Sequence, residues 1–223
     1  MIKLFINHIN KSIYLVVLLG FNVAFAGSYE DFFQAVKRDD STVIQQLLSR
    51  GFDANTPDPT GQQALLIALR EPSIKVANVL IAWPKTDLNA FNPKGESPLM
   101  LAAVKGHVDL AETMIKKGAD VNKTGWTPLH YAASTGQVKV ISLLLENHAY
   151  IDAASPNGST PLMMASMYGT GDAVKLLLDE GADPLLKNEQ GLSALQFAER
   201  GKRPDAIELV SKAVRAKIAT GKW

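Results

Sequence analysis

The chain has no cysteine among its 223 residues, which excludes disulfides, thiol nucleophiles and Cys-ligated metals together. Histidine is scarce, 4 in all. Beyond the N-terminal segment only His107, His130 and His148 remain, without a metal-ligand spacing such as H-E-x-x-H. No sign of charge dominates: 23 Lys and Arg face 22 Asp and Glu, a formal net of +1. Neither nucleic acid nor an anionic membrane is advertised as a partner. Gly169-Thr170-Gly171 is too short for a phosphate loop and lacks its lysine. What remains is length enough for a sizeable core in one or two domains.

The N-terminal segment is of a different material. Lys3 and Lys11 precede the apolar run Ile13-Tyr14-Leu15-Val16-Val17-Leu18-Leu19, and Ala24-Phe25-Ala26 is followed by Gly27 and Ser28. A basic region, a short apolar region and a small-x-small site, in that order, predict a secretory signal peptide over residues 1–26, cleaved after Ala26. The alternative, an uncleaved anchor, wants about 20 apolar residues, and Asn22 interrupts this run. No cysteine stands at the cleavage point, so a bacterial lipoprotein anchor is excluded. Cleavage removes Lys3 and Lys11 and no acid, leaving 21 basic residues against 22 acidic ones, a net of −1. An exported chain without disulfides fits a bacterial periplasm better than a eukaryotic exterior. Asn122-Lys123-Thr124 and Asn157-Gly158-Ser159 match the glycosylation sequon, a short match of little weight.

Past this segment the sequence repeats itself. Gly125-Trp126-Thr127-Pro128-Leu129-His130-Tyr131-Ala132-Ala133 returns as Gly95-Glu96-Ser97-Pro98-Leu99-Met100-Leu101-Ala102-Ala103 and as Gly158-Ser159-Thr160-Pro161-Leu162-Met163-Met164-Ala165-Ser166. Weaker copies start at Gly61 and Gly191, so the five glycines are 34, 30, 33 and 33 residues apart. Thr127 can cap a helix whose first turn holds Pro128, where the missing N–H costs nothing. Leu129 begins a buried stripe, and the small Ala132 and Ala133 let the next helix approach. Gly136 breaks this helix. Val138, Ile141, Leu144 and Leu145 then recur at helical spacing as a second apolar face. Gly118 and Gly181 stand where a left-handed helix end is expected. His148 occupies that place in its own repeat, so the backbone there is strained or differently closed.

A period near 33 with this text resembles the ankyrin repeat, over essentially all of residues 28–223. The expected fold is an all-α solenoid of about six helix-turn-helix units joined by β-hairpin-like loops, with repeats over approximately 28–57, 58–91, 92–122, 123–154, 155–187 and 188–223. A pair of short helices cannot bury its apolar face alone, and stacking completes the core. The end units read as caps: the first exposes Glu30, Asp31, Lys37 and Arg38, the last Lys202, Arg203, Lys212, Arg215 and Lys217. Two departures stand out against the family. A three-residue deletion between Asn122 and Gly125 should stunt one hairpin. Pro72 takes an inter-helix position usually held by glycine, and Trp83-Pro84 replaces the ordinary repeat close.

The resemblance implies that His130 hydrogen-bonds locally and ties neighbouring loops rather than doing chemistry. Met100, Met163 and Gln196 hold the same place in other repeats, so no catalytic register runs through it. Asp120, Asp152 and Asp183 recur at the hairpin entry and read as scaffold. Met163, Met164 and Met167 could suggest copper in a periplasm, against packing within the stack. Lys212, Arg215, Lys217 and Lys222, with Asp205 and Glu208 as acidic neighbours, read as a solvated cap face.

The expectation is therefore an exported, monomeric, non-enzymatic binding protein without cofactor, metal or catalytic residue, and without a nucleic-acid partner or a membrane anchor after cleavage. The resemblance implies that it binds a partner protein through its hairpin tips and the exposed face of each first helix. Gln62, Glu96, Trp126, Ser159 and Leu192 share one position beside the hairpin, exposed in the family. Lys105, Thr135, Met167 and Tyr168 lie on the outer surface of first helices. Trp126, Met167 and Tyr168 are expected to form an apolar patch near the middle of the concave face, the alternative being that Trp126 folds down over the neighbouring hairpin. One rival reading is an immunity or protective partner of an exported enzyme, which a strongly acidic concave face would favour. The other is a metal site or enzyme framed by the solenoid, which clustered His, Asp and Glu on adjacent repeats would mark.

Overall fold

The computed structural model describes residues 27–220. The expected signal segment, residues 1–26, and Lys222 lie outside the described residues. Among the described residues twelve helices follow one another in six pairs: α1 over residues 27–37, α2 Ser41–Ser49, α3 Ala64–Arg70, α4 Ile74–Ala82, α5 Pro98–Lys105, α6 Val108–Lys116, α7 Pro128–Ser134, α8 Val138–Glu146, α9 Pro161–Tyr168, α10 Gly171–Asp179, α11 Ala194–Arg200 and α12 Pro204–Thr220. Among the described residues β pairing is confined to two isolated antiparallel bridges, Pro57 with Gln63 and Lys187 with Ser193, each across a hairpin-like loop. The chain divides into two compact units after Thr86, the first carrying α1–α4 and the second α5–α12.

The motif starts a helix by reciprocal capping. Ser97, Thr127 and Thr160 are N-caps with Pro98, Pro128 and Pro161 in the first turn. Their hydroxyl oxygens accept from the N–H groups of Met100 (3.3 Å), His130 (3.4 Å) and Met163 (3.4 Å). In return their own N–H groups donate to Met100 Sδ (3.4 Å), His130 Nδ1 (3.2 Å) and Met163 Sδ (3.4 Å). Gln196 Oε1 accepts likewise from the Ser193 N–H at 2.9 Å. A capping box ordinarily uses Glu or Gln in this return role; here a thioether or an imidazole fills it. Met163 is thereby explained without copper, since its sulfur already accepts an N–H and its side chain is buried.

Gly118 and Gly181 end α6 and α10 with φ of 92° and 98°. His148 takes the same left-handed conformation at φ 66°, which costs a side-chain-bearing residue about 1–2 kcal/mol. At Pro72, α3 stops at Arg70 and α4 restarts after Ser73. No side-chain bond from Ser73 caps α4; Asp39 Oδ1 instead accepts the Val76 N–H at 2.9 Å from the neighbouring repeat. Trp83 closes α4 through N–H bonds to Val79 and Leu80.

Each unit has its own core. In the first, Phe32, Ile44, Leu48, Leu65, Leu66, Leu69, Leu80 and Ile81 are fully buried, with Phe32 stacked 4.4 Å from Phe52. In the second, Leu99, Met114, Leu129, Ile141, Leu144, Leu162 and Leu177 fill the space between helix pairs. Leu129, Ala132 and Ala133 are fully buried, and α7 packs against both α5 and α9. Small side chains at these places let neighbouring first helices lie close. Gly169 shows the limit of that approach: a Cβ there would collide with the Ala133 carbonyl oxygen.

Candidate protein-binding surface

The loops of the second unit are held by a side-chain ladder. Asn89 Nδ2 donates to the Gly118 carbonyl (3.2 Å) and Asn89 Oδ1 accepts from the Asp120 N–H (2.8 Å). One repeat on, Asn122 does the same with the His148 carbonyl (2.7 Å) and the Tyr150 N–H (2.8 Å). Asp152 then accepts from the Asp183 N–H at 3.1 Å. This corrects the sequence register. Asp152 belongs with Asn89 and Asn122, and Tyr150 stands where Asp120 and Asp183 stand. Being a carboxylate, Asp152 lacks the N–H its equivalents donate. Its burial raises its pKa, and the charge of Asp183 adds to this against the Asp183 N–H and Lys217. Asp183 itself is half-buried, which pushes its pKa up, but the Lys217 ammonium at 2.7 Å and the Leu185 N–H hold it lower than usual.

Four loops close with a turn bond from glycine N–H to the carbonyl three residues back: Gly61 to Asp58, Gly95 to Asn92, Gly158 to Ser155 and Gly191 to Asn188. Among the described residues no such bond closes the loop between Asn122 and Gly125, as its three missing residues imply. The gap is filled from both sides. Lys123 Nζ donates to the Gly95 carbonyl at 2.8 Å and lies 4.3 Å from the centre of the Phe91 ring. Pro156 of the next loop comes within 3.4 Å of a Cβ placed on Gly125.

His130 is 1% exposed at the base of this loop. The Thr127 N–H can only donate, so Nδ1 is the acceptor, and the neutral ring carries its proton on Nε2, 2.9 Å from the Ser159 carbonyl. One ring thus caps α7 and ties it to the loop before α9. Burial pushes its pKa down to about 4, opposed by backbone bonds of Ser159 and Ala153. A histidine both buried and fully bonded is structural, as the resemblance implied.

The expected binding residues fall into three groups. Ser159 is a correction: expected exposed, it is 1% exposed, its carbonyl taken by His130 and its hydroxyl by Asn188 Nδ2 (3.3 Å). Glu96, Trp126, Met167 and Leu192 are half-buried, while Lys105, Thr135 and Tyr168 are exposed. Glu96 is held by Asn92 Nδ2 (2.7 Å) and the Tyr131 hydroxyl (3.5 Å); burial first, then the Glu96 charge, raises the Tyr131 pKa. The Thr135 hydroxyl donates to backbone carbonyls of Val104 and Tyr131. Leu192 is pinned through its backbone to Asn188.

Trp126 packs edge-on against His130, ring centres 5.3 Å apart, so part of its surface is committed to the fold. It precedes α7, whereas Met167 and Tyr168 end α9. Ser159 beside His130 and Gly169 beside Ala133 fix α7 and α9 as parallel neighbours. At 1.5 Å per residue, roughly 12 Å of helix separates Trp126 from the level of Tyr168. The expected three-residue patch is therefore two places at opposite ends of one face. Between them lie Tyr131, Met164 and Phe197, half-buried at one register position of α7, α9 and α11. Sequence reasoning missed them because apolar residues at helical spacing read as core. Their signal was a shared place, six residues after each repeat glycine. Among the described residues no cluster of His, Asp and Glu is placed to hold a metal ion, and no helix is long and apolar enough to cross a membrane.

Helix pairs stacked through capped first helices and laddered loops agree with what family comparison finds. A model of ankyrin repeats in three copies matches residues 32–124 and 75–155, and one of ankyrin repeats in many copies matches residues 144–198. The chain belongs to the ankyrin repeat family. Among solved structures it is similar to an ankyrin repeat domain of Acinetobacter baumannii AYE, 31% identical with a TM-score of 0.70, over 82% of this chain and 97% of that one. It is also similar to a chain from the complex of a predatory endopeptidase of Bdellovibrio bacteriovorus with an immunity protein. There the identity is 29% and the TM-score 0.69, again over 82% of this chain and 97% of that one. The mouse protein fem-1 homolog A-like is 31% identical over 139 residues, 61% of this ankyrin chain and 21% of that protein. The chain spans 21% of that relative and 17% of the chicken nuclear factor NF-kappa-B p105 subunit, to which it is 30% identical over 165 residues.

Proposed function

We propose that this chain is an exported, non-enzymatic ankyrin protein that binds a partner protein in the periplasm through its first helices and hairpin tips. The observation that carries this reading is the division of labour on those helices. Their polar motif residues, Ser97, Thr127, His130 and Thr160, are consumed in capping. Tyr131, Met164, Met167 and Tyr168 keep accessible surface that capping does not use. Half-accessible aromatic and Met side chains on a fixed frame suit protein recognition. Export rests on the basic, apolar and small-residue order over residues 1–26, and predicts a mature chain starting at Gly27. Intact-mass measurement of the exported protein tests this; a mass retaining Met1 to Ala26 would refute it. Affinity capture with the mature chain from periplasmic extract tests binding. A protein retained in stoichiometric amount and confirmed by calorimetric titration is expected, and absence of any saturable binding would end this reading.

A second reading is a protective or immunity partner of an exported enzyme, which the likeness to a chain of the endopeptidase–immunity complex favours. Charge does not favour it. The first helices of the second unit and the loops before them carry Lys94, Lys105, Lys117, Lys123, Lys187 and Arg200 against Asp87, Glu96, Asp120, Asp152, Glu180, Asp183, Glu189 and Glu199, a near balance and not a strongly acidic face. Inhibition of a captured hydrolase by the purified chain would support this role; a captured protein whose activity is untouched would count against it.

A further inference from the structure

Taking protein binding as the starting point, we infer the chemistry of the partner surface: aromatic or aliphatic side chains flanked by carboxylates. Helices α7 and α9, in the middle of the second unit, carry no charged residue. Their accessible side chains are Tyr131, Ser134, Met164, Met167 and Tyr168, the last 58% exposed. Phe197 on α11 continues the row at the same register position. An uncharged strip thus crosses adjacent helices about 10 Å apart.

The ends of the strip are basic. Lys105 closes α5 on one side; Arg200 closes α11 on the other, with Lys202 just after it; all three are exposed. On the loop side stand Lys94 and Lys123, the latter held over Phe91 by its bond to the Gly95 carbonyl. The carboxylates nearby are Glu96, already accepting from Asn92 and Tyr131, Glu199 on α11, and on the loops Asp120, Asp152, Glu189 and the Lys217-paired Asp183, so the basic excess lies at the helix-end side of the strip and not on the loop side. The second helices of this unit are close to balanced: α6 and α10 each carry one more acid than base, α8 holds Lys139 and Glu146, and α12 holds Lys212, Arg215 and Lys217 against Asp205 and Glu208. In the second unit the uncharged strip of α7 and α9 therefore runs between basic helix ends, Lys105 on α5 and Arg200 with Lys202 at the close of α11. Apolar centres carry binding energy, and rim charges set partner choice and association rate. A surface with apolar anchors between Asp or Glu residues complements this arrangement; a basic one is repelled by it.

Selection of a random peptide library against the mature chain tests this directly. Selected peptides are expected to carry an aromatic or aliphatic pair flanked by Asp or Glu. Their binding should weaken at least about tenfold in Tyr168→Ala, whose side chain is exposed enough to leave folding intact. The double variant Lys105→Glu, Arg200→Glu should lose binding and its salt dependence, while Lys139→Glu on α8 should match the wild type. Peptides without surplus carboxylates, or equal binding to Tyr168→Ala, would overturn the inferred chemistry while leaving protein binding itself standing. No selected peptide together with no captured protein would remove both.

Discussion

His130 makes stability depend on pH in a way a single substitution can isolate. The ring is buried and neutral, with Nδ1 accepting from Thr127 and Nε2–H donating to Ser159. Protonation would set a second N–H against the Thr127 donor and place a charge in the stack. Its folded pKa lies at about 4 against 6.5 for a free histidine. Between those values the unfolded chain binds more protons than the folded one, so stability is complete above about pH 6.5 and falls as pH falls. One such site costs about 2 kcal/mol by about pH 5 and about 3 kcal/mol by about pH 4. The informative variant is His130→Gln. An amide can accept from Thr127 as Gln196 Oε1 accepts from Ser193, and can donate to Ser159, but cannot titrate. At neutral pH the variant should be less stable by about 1 kcal/mol, one imperfect hydrogen bond. Below about pH 5.5 the order should reverse, with the variant the more stable by about 1 kcal/mol near pH 5. Urea unfolding followed by circular dichroism across this range reads both curves, and carboxylate titration common to the two proteins cancels in their difference. Parallel curves would refute the buried neutral ring.

Leu144→Ala should destabilise by about 2–5 kcal/mol, because Leu144 is fully buried on α8; a denaturant midpoint near that of His130→Gln at neutral pH would show the site to be looser than it is drawn. Gly169→Ala should cost at least about 2 kcal/mol from overpacking, since its Cβ meets the Ala133 and Ala165 backbone; an unchanged melting temperature would contradict the close approach of α7 and α9. Asp152→Asn should stabilise by about 1 kcal/mol. It supplies the missing donor to the Gly181 carbonyl and removes a charge beside Asp183, and a lower melting temperature would mean that attraction to Lys217 matters more.

Most of the frame was legible because it is repeated. Thr127 and Pro128 announced a helix start that their copies confirm, and the spacing of 30 before Gly125 announced a shortened loop. The misreadings came where alignment by residue type competed with hydrogen bonding. Asp152 was grouped with Asp120 and Asp183 by its letter, whereas the side-chain ladder pairs it with Asn122. Ser159 was placed on the surface because its column holds Glu96 and Trp126, yet its carbonyl is drawn inward by His130 and its hydroxyl by Asn188. Methionine sulfur as the return acceptor of a capping box leaves no letter pattern distinct from core packing.

The claim that binding uses the first-helix face is tested most directly by hydroxyl-radical footprinting of the mature chain with its captured partner. Met164, Met167 and Tyr168 are reactive, accessible probes on α9, while Ile115 on α6 and Leu143 on α8 report the back. Protection of the three α9 side chains with Ile115 and Leu143 unchanged is the predicted result. Protection of Ile115 and Leu143 with Met164, Met167 and Tyr168 still fully oxidised would contradict it.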